Sequence, residues 1–351
     1  MLSPDPAELA ARARADLRIG LPVAVGGTVL ASVETLSPAR LAAMRGAGPL
    51  TLAITARRAE TLKARAYDGD LARIAVPEGA DCAWLRAVAD PADDLRMPMK
   101  GPFASIRGDG AAPWRTGLRL AKAAQLLPAM VGVAAPVPPG ITHLPEGMDL
   151  GAASLPHEIA AARVPMAVSE AGRVHVFREG RGGEEHYAIE IGRVDRAAPV
   201  LVRLHSACFT GDVLGSLKCD CGPQLHAAME AMAQNASGGG GVLLYLNQEG
   251  RGIGLANKMR AYDLQDQGFD TVEANHRLGF EDDERDFRLG AGLLGRMNIG
   301  RVRLMTNNPR KIEMMRAQGI EVVERVPLHV GRGALNAAYL DVKRAKSGHL
   351  E

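Results

Sequence analysis

Aromatic residues and cysteine are both scarce in this sequence, and neither sign of charge prevails. Aromatics make up 4% of the 351 residues, cysteines number four, and 42 Lys+Arg stand against 40 Asp+Glu, a formal net charge of +2. Four cysteines in so long a chain cannot form the disulfide framework that staples small secreted domains. The balanced charge lacks the basic excess of a protein whose main partner is the nucleic-acid backbone, so no nucleic-acid partner is expected and any bound anion is met locally. No apolar run approaches the roughly 20 residues needed to cross a bilayer. Even 21–33 is broken by Pro22 and the Gly26/Gly27 pair, and no membrane partner is expected. The first fifteen residues hold no basic segment followed by an apolar stretch, so the expected location is the cytoplasm.

What is present is ample apolar mass: 47% of residues are hydrophobic and 23% charged, the composition of a soluble globular chain. The length exceeds what one core fills, which predicts two domains. Residues 134–147 carry four prolines and two glycines and cannot hold regular structure for long, so the connection is placed there, with domains at 1–150 and 151–351. The expected class is α/β (mixed α+β), each domain a mixed sheet with surrounding helices. In the first, helices are expected at 38–44, 56–66 and 117–127 and a strand at 49–54. In the second, 173–177 and 186–191 read as an antiparallel hairpin, and 241–247 as a strand. After a glycine-rich turn comes a helix placing Ile253, Leu255, Met259 and Tyr262 near one face and ending at Gly268. Strand 302–306, Asn308 as N-cap, Pro309 as first helical residue, Gly319 as stop and a strand at 320–326 make a βαβ unit. The glycine run at 237–241 is expected to be a flexible turn.

Three of the four cysteines, Cys208, Cys219 and Cys221, crowd into 14 positions, whereas Cys82 stands alone and reads as core. In extended backbone the C-x-C pair would set its thiols on one side, roughly 7 Å apart at Cα. Zinc takes such thiolates, and three protein ligands leave a fourth place for water, the arrangement of a catalytic site. His205 or His226 is near enough in sequence to close that place instead. A second cluster, 248–258, sets Gly250, Gly252 and Gly254 between strand and helix, where backbone can approach an anion. There Glu249 could accept two guanine N–H donors and Arg251 could hold phosphate. A third, 306–311, offers the Thr306 hydroxyl, the Lys311 ammonium and the orphan amides of a helix start. A fourth is the acidic run 282–287 around Arg285, of a kind that is most often a solvated face.

With these motifs in order, RLHSACFTGDVLGSLKCDCGPQL, QEGRGIGLANKMRAYDLQDQGFDTVEANHRLGF, DERDF and TNNPRK, the stretch 203–351 resembles GTP cyclohydrolase II. The resemblance implies release of formate from guanine C8 and of pyrophosphate from GTP, the first step of riboflavin synthesis. It implies Cys208, Cys219 and Cys221 as zinc ligands, and Tyr262 as a phenol near C8. Asp283 and Arg285 match the family's base and nucleophile at the α-phosphorus. A guanidinium, which holds its proton tightly, is a poor nucleophile, and a clamp on the departing pyrophosphate explains the same residues. Implied GTP contacts are Arg203, His205, Ser206, Gln224, Glu249, Gly250, Arg251, Thr271, Thr306 and Lys311, with Mg2+ on the triphosphate. A homodimer is the family expectation. Ala207 stands where members often carry glutamate before the first cysteine. The first half is similar to 3,4-dihydroxy-2-butanone 4-phosphate synthase, but no Arg-Glu-Gly-Glu or equivalent acidic cluster occurs near 23–34 and no His-Thr-Glu near 114–118. Lacking hard oxygen ligands for a divalent ion, it is expected to be inactive and to serve dimerisation or stability. The alternatives are a bifunctional enzyme that also makes the butanone phosphate, and a zinc-stabilised nucleotide binder without catalysis.

Overall fold

The structure is a computed structural model that describes residues 3–148, 155–180, 183–235 and 239–337. The expected domain division at 150/151 and part of the glycine run at 237–241 lie outside the described residues. Contacts gather the chain into two compact units, Met1–Ala152 with Ile253–Glu284, and Ala153–Gly252 with Arg285–Glu351. Both are mixed sheets with helices, the α/β class expected.

In the first unit β1 (Val23–Val25), β2 (Thr28–Ser32), β3 (Thr51–Thr55), β4 (Leu71–Ala75), β5 (Ala129–Ala134) and β6 (His143–Leu144) pair in the order β4-β3-β5-β2-β1-β6. Strand alternation sends Leu52, Ile54, Val131 and Val133 to one core and Leu30, Ala53 and Met130 to another. The expected helix at 56–66 stops at Thr61, because Lys63 turns to a left-handed φ of 57°. The helix expected at 117–127 is Ala112–Ala123, since Pro113 is tolerated in a first turn, where its amide would be unpaired anyway. Lone Cys82 is core, as expected.

The core on one face of this sheet also takes Ile253, Ala261, Leu264, Ala274, Leu278 and Phe280. They come from the helices Leu255–Asp266 and Thr271–Arg277 and their flanks. The buried stripe of the first of these helices differs from the expected one. It is Asn257, Lys258, Ala261 and Leu264, while Leu255 and Met259 are exposed. The helix starts at Leu255, so Ile253 is buried from the loop before it and does not set the phase of the face.

In the second unit β7 (His157–Arg163), β8 (Gly172–Arg178), β9 (Glu185–Gly192), β10 (Val200–Ser206), β11 (Gly240–Leu246), β12 (Arg301–Met305) and β13 (Glu321–Val326) form a sheet ordered β13-β12-β10-β11-β9-β8-β7. The expected hairpin is β8–β9, and the expected βαβ unit is β12, the helix Pro309–Ala317 and β13, which is parallel to β12. Asn308 caps that helix by accepting from the Arg310 amide at 3.0 Å. Strand β10 is parallel to β11 on one side and to β12 on the other. The chain therefore leaves β10 for one neighbour and later returns on its opposite side. Ligand crevices in α/β sheets open outside the carboxyl ends of strands at such a switch point. Alternation along β10 sends Val200, Val202 and Leu204 to the core shared with the helix Arg288–Arg296, and Leu201 to the core shared with the helix Cys221–Ala233. Arg203 and His205, in phase with Leu201, go to that second face.

Candidate functional site

Three loops leave the carboxyl ends of β10, β11 and β12, and Cys208, Cys219, Glu249, Gly250, Arg251 and Thr306 ride on them. The β10 loop opens with Ala207, whose amide donates to the Leu246 carbonyl at 2.7 Å. Backbone pairing thus holds this position without help from a side chain. Next come Cys208 and a single π-type turn, Phe209–Val213. The three thiols converge: their sulfurs lie within 4.8 Å of one another, and Cys208 Sγ and Cys219 Sγ are 3.7 Å apart. Sulfurs bound tetrahedrally at 2.3 Å from one zinc ion would be about 3.8 Å apart. The Gly211 amide donates to Cys208 Sγ at 3.3 Å.

Two glycines make the convergence possible. A Cβ on Gly211 would sit 2.8 Å from Cys219 Sγ and 3.1 Å from Cys208 Sγ, and one on Gly222 would sit 2.3 Å from the Gly211 carbonyl oxygen. Only backbone without side chains lets the two ligand-bearing segments press together. The C-x-C expectation needs correction. Cys219 and Cys221 do not lie on extended backbone; Asp220 is the N-cap of the helix Cys221–Ala233, with φ −105° and ψ 8°, and the helix start turns both sulfurs inward. That end of a helix also favours thiolate over thiol. Among the described residues no histidine or carboxylate joins the group. Crowding by the neighbouring sulfurs, Cys208 first, and then burial raise the Cys221 thiol well above its ordinary value; Cys219 is raised too, again chiefly by Cys208. Thiols this close give up protons together only when a cation takes up the charge. Donor chemistry, spacing and the glycine cradle fit a thiophilic metal ion.

His205, one candidate for a fourth ligand, faces elsewhere. Its Nε2 lies 3.0 Å from both carboxylate oxygens of Asp212. Burial lowers its pKa, and the pull of Asp212 only partly restores it. Arg203 is buried too, donating to the Gln224 side-chain oxygen and to the Met305 carbonyl at 3.3 Å. Desolvation brings its guanidinium down to about 10. Gln224 in turn donates to Asp220 at 2.5 Å, which links Arg203 to the residue between two of the cysteines.

After β11, Gly250 and Arg251 both take left-handed backbone, with φ of 62° and 63°. For arginine this costs on the order of 1 kcal/mol, and such strain collects at functional sites. The Glu249 carboxylate accepts from the Phe209 amide at 2.6 Å and the Gly250 amide at 2.9 Å, tying this loop to the thiol loop. After β12, the Thr306 hydroxyl accepts from the Asn308 amide at 3.0 Å and is buried. The Lys311 ammonium donates to the Leu204 carbonyl at 3.0 Å. Arg285 donates to the Ser206 hydroxyl at 3.2 Å. Arg285 and Lys311 both lie against the ring of Phe287, at 4.7 and 5.3 Å from its centre, so two cations share one aromatic support. A cavity of about 680 Å³ opens beside the thiols, lined in part by Cys219, His226, Arg332 and Asn336.

The second unit thus holds the three cysteines with Arg203, His205, Ser206, Gln224, Glu249, Gly250, Arg251, Arg285, Thr306 and Lys311. Tyr262, Thr271 and Asp283 belong to the first unit. There the Lys258 ammonium lies 5.6 Å from the Tyr262 ring centre, and the Thr271 hydroxyl accepts from Gln265 at 3.5 Å. Sequence reasoning passed over Asp212, Tyr245, Gly211 and Phe287. The last stands inside the DERDF motif, and the glycine lies between ligands, so spacing alone could have drawn attention to both.

Known proteins resemble this chain over most of its length. The profile described as GTP cyclohydrolase II matches residues 157–327. A protein of Azospirillum brasilense named GTP cyclohydrolase-2 is 40% identical over 366 residues, spanning 97% of this chain and 93% of that one. One from Klebsiella pneumoniae with the same name is 57% identical over 174 residues, which cover 50% of this chain and 86% of that protein. Among solved structures, a two-domain 3,4-dihydroxy-2-butanone 4-phosphate synthase from A. baumannii aligns over 93% of this chain at 14% identity and a TM-score of 0.27, too low to inform the fold.

Proposed function

Since the chain belongs to the GTP cyclohydrolase II family, we propose that it hydrolyses GTP at guanine C8 and at the α–β phosphoanhydride, with Cys208, Cys219 and Cys221 holding a zinc ion. The products are 2,5-diamino-6-(5-phosphoribosylamino)pyrimidin-4(3H)-one, formate and pyrophosphate. The convergence of three sulfurs around a glycine at the carboxyl end of β10 carries this reading. When bound, zinc supplies a nucleophile near neutral pH, because coordination lowers the pKa of water to about 7.

The remaining roles fall to the chain's own side chains. Glu249, already oriented by two amides, accepts the N–H donors of guanine, and Gly250 lets the backbone approach the base. Arg285 and Lys311, braced on Phe287, clamp the charge that develops as pyrophosphate leaves, with Ser206, Thr306 and Arg251 completing the phosphate contacts. A guanidinium that is stacked and hydrogen-bonded suits an electrostatic clamp better than a nucleophile. Arg203, His205 and Gln224 support the floor of the site, and Thr271 contributes a hydroxyl. Tyr262 moves a proton at C8, and Asp283 serves as base at the phosphorus. Mg2+ would accompany the triphosphate and offset its charge.

For residues 1–150 we infer a scaffold derived from a butanone phosphate synthase-like domain. The one acidic side chain of 23–34, Glu34, accepts from the Leu127 amide at 2.7 Å and from Arg260 at 3.0 Å, which commits it to structure. Incubation of the full chain with GTP and Mg2+ tests the proposal. Formate and a diaminopyrimidine of the stated mass are expected, both abolished by a zinc chelator. Intact GTP after prolonged incubation with metal-replete protein would overturn it. Conversion of ribulose 5-phosphate would overturn the scaffold reading.

A further inference from the structure

We propose that Asp212 is a positioning residue for the metal centre: its carboxylate fixes the loop that presents Cys208. The inference rests on the zinc reading above and extends it to a residue that binds neither metal nor substrate in that scheme.

Four donor contacts meet on this one side chain, which is 4% exposed. The Cys208 amide donates to Oδ2 at 3.0 Å, the Tyr245 hydroxyl donates to the same oxygen at 2.9 Å, and His205 Nε2 lies 3.0 Å from each oxygen. In the reverse direction the Asp212 amide donates to the Cys208 carbonyl at 2.7 Å. Residues 208–212 are therefore closed on themselves twice, once through backbone and once through the carboxylate. The anchors of this closure lie on rigid strands. His205 on β10 and Tyr245 on β11 are direct partners in the parallel register, and their rings stack at 5.5 Å between centres. Tyr187 on β9 stacks on Tyr245 in turn at 6.3 Å.

The physical consequence is local. A loop whose first residue is a ligand would otherwise sample many backbone states, and ordering it costs about 1–2 kcal/mol per residue. Asp212 meets that cost before the metal arrives, by tying the ligand's own amide to the sheet. The arrangement also fixes which imidazole nitrogen carries the proton: with the carboxylate ionised, Nε2–H donates to it. Partners outside the ligand shell typically change metal affinity by 10–100-fold when removed.

The test is a zinc competition titration with a chromogenic chelator on the full chain, alongside visible spectra of the cobalt-substituted protein. Asp212→Asn is expected to raise the zinc dissociation constant about 10–100-fold and to perturb the cobalt ligand-field bands. With zinc in excess its KM for GTP is expected to stay within about twofold of wild type. Tyr245→Phe, which removes one donor and leaves the Cys208 contact, is expected to weaken zinc by only about 3–10-fold. Unchanged zinc affinity in folded Asp212→Asn, or a loss equal in both variants, overturns the proposal. Should Asp212→Asn fail to fold, unchanged zinc affinity in Tyr245→Phe overturns it. Zinc binding is read without GTP, so a chain that binds zinc through Asp212 yet leaves GTP intact would refute the functional reading and spare this one.

Discussion

Asp94 in the first unit and Asp212 in the second are both nearly sealed from solvent, yet their partners differ in kind. Asp94 is met by cations: Arg58 donates at 2.9 Å, Lys100 pairs with it, and Arg277 lies at 3.8 Å. Burial alone would push its carboxyl upward, but Arg58 and Lys100 outweigh that and hold it below the ordinary value. Arg58 is itself 1% exposed and spends another donor on the Val88 carbonyl at 2.7 Å. Asp212 instead meets an amide, a phenol and an imidazole. A buried carboxylate ringed by cations balances charge and ties elements together. One ringed by dipolar donors orients them. The first kind belongs to a scaffold and the second to a site.

The contrast breaks most plainly at the thiols. Cys219→Ser is expected to lower formate release at least ~100-fold and to empty the metal site, since even outer partners cost 10–100-fold. Elemental analysis and a formate assay check this. Because the only tryptophans, Trp84 and Trp114, lie in the first unit, their fluorescence during denaturation should not change.

The converse cut is Arg58→Ala, which leaves Asp94 only Lys100 and the more distant Arg277 and should destabilise the first unit by ~2–4 kcal/mol, read from the same tryptophan transition in urea. It also has a pH signature. Asp94 has a depressed folded pKa, so its contribution is complete above the ordinary value near 4 and is lost as pH falls through the folded one. The variant should therefore lose part of wild type's fall in stability below about pH 4, so the gap between the two narrows in acid. A constant gap would contradict the ion-network reading.

The smaller effects come from two glycines. Gly211→Ala forces a Cβ to 2.8 Å from Cys219 Sγ and should cost about 1–3 kcal/mol, seen as weaker zinc retention against a chelator. Gly46→Ala, at an exposed position of the helix Pro38–Ala47 with nothing within 4 Å of the added carbon, should stabilise the first unit by ~0.5–1 kcal/mol.

The parts of this molecule that were readable in advance share a property. Cysteine spacing, an Asn-Pro helix start and glycines before a helix each state a local physical demand, and β12, the helix at Pro309 and β13 follow from such signals. Asp212 and Tyr245 carry none. One is an acidic residue in a turn and the other a tyrosine in an apolar strand, and they become partners only because β10 and β11 pair with His205 opposite Tyr245. The assignment of 253–284 was equally hidden, because an amphipathic helix declares that it has an apolar face and not which sheet will cover it. Tyr262, Thr271 and Asp283 follow that segment into the first unit.

The sequence by itself determined the donor set, three thiols with one cradling glycine between the first two and another after the last, and the order of the loops that carry it, because both depend on side-chain chemistry and short-range backbone preference. Only the tertiary structure decided that a helix start, and not a strand, turns Cys219 and Cys221 toward Cys208, and that a carboxylate seven residues before Cys219 pins the loop that carries Cys208. Those outcomes depend on strand register and on where backbone lacking Cβ can approach backbone, and both are set by contacts between residues far apart in the chain.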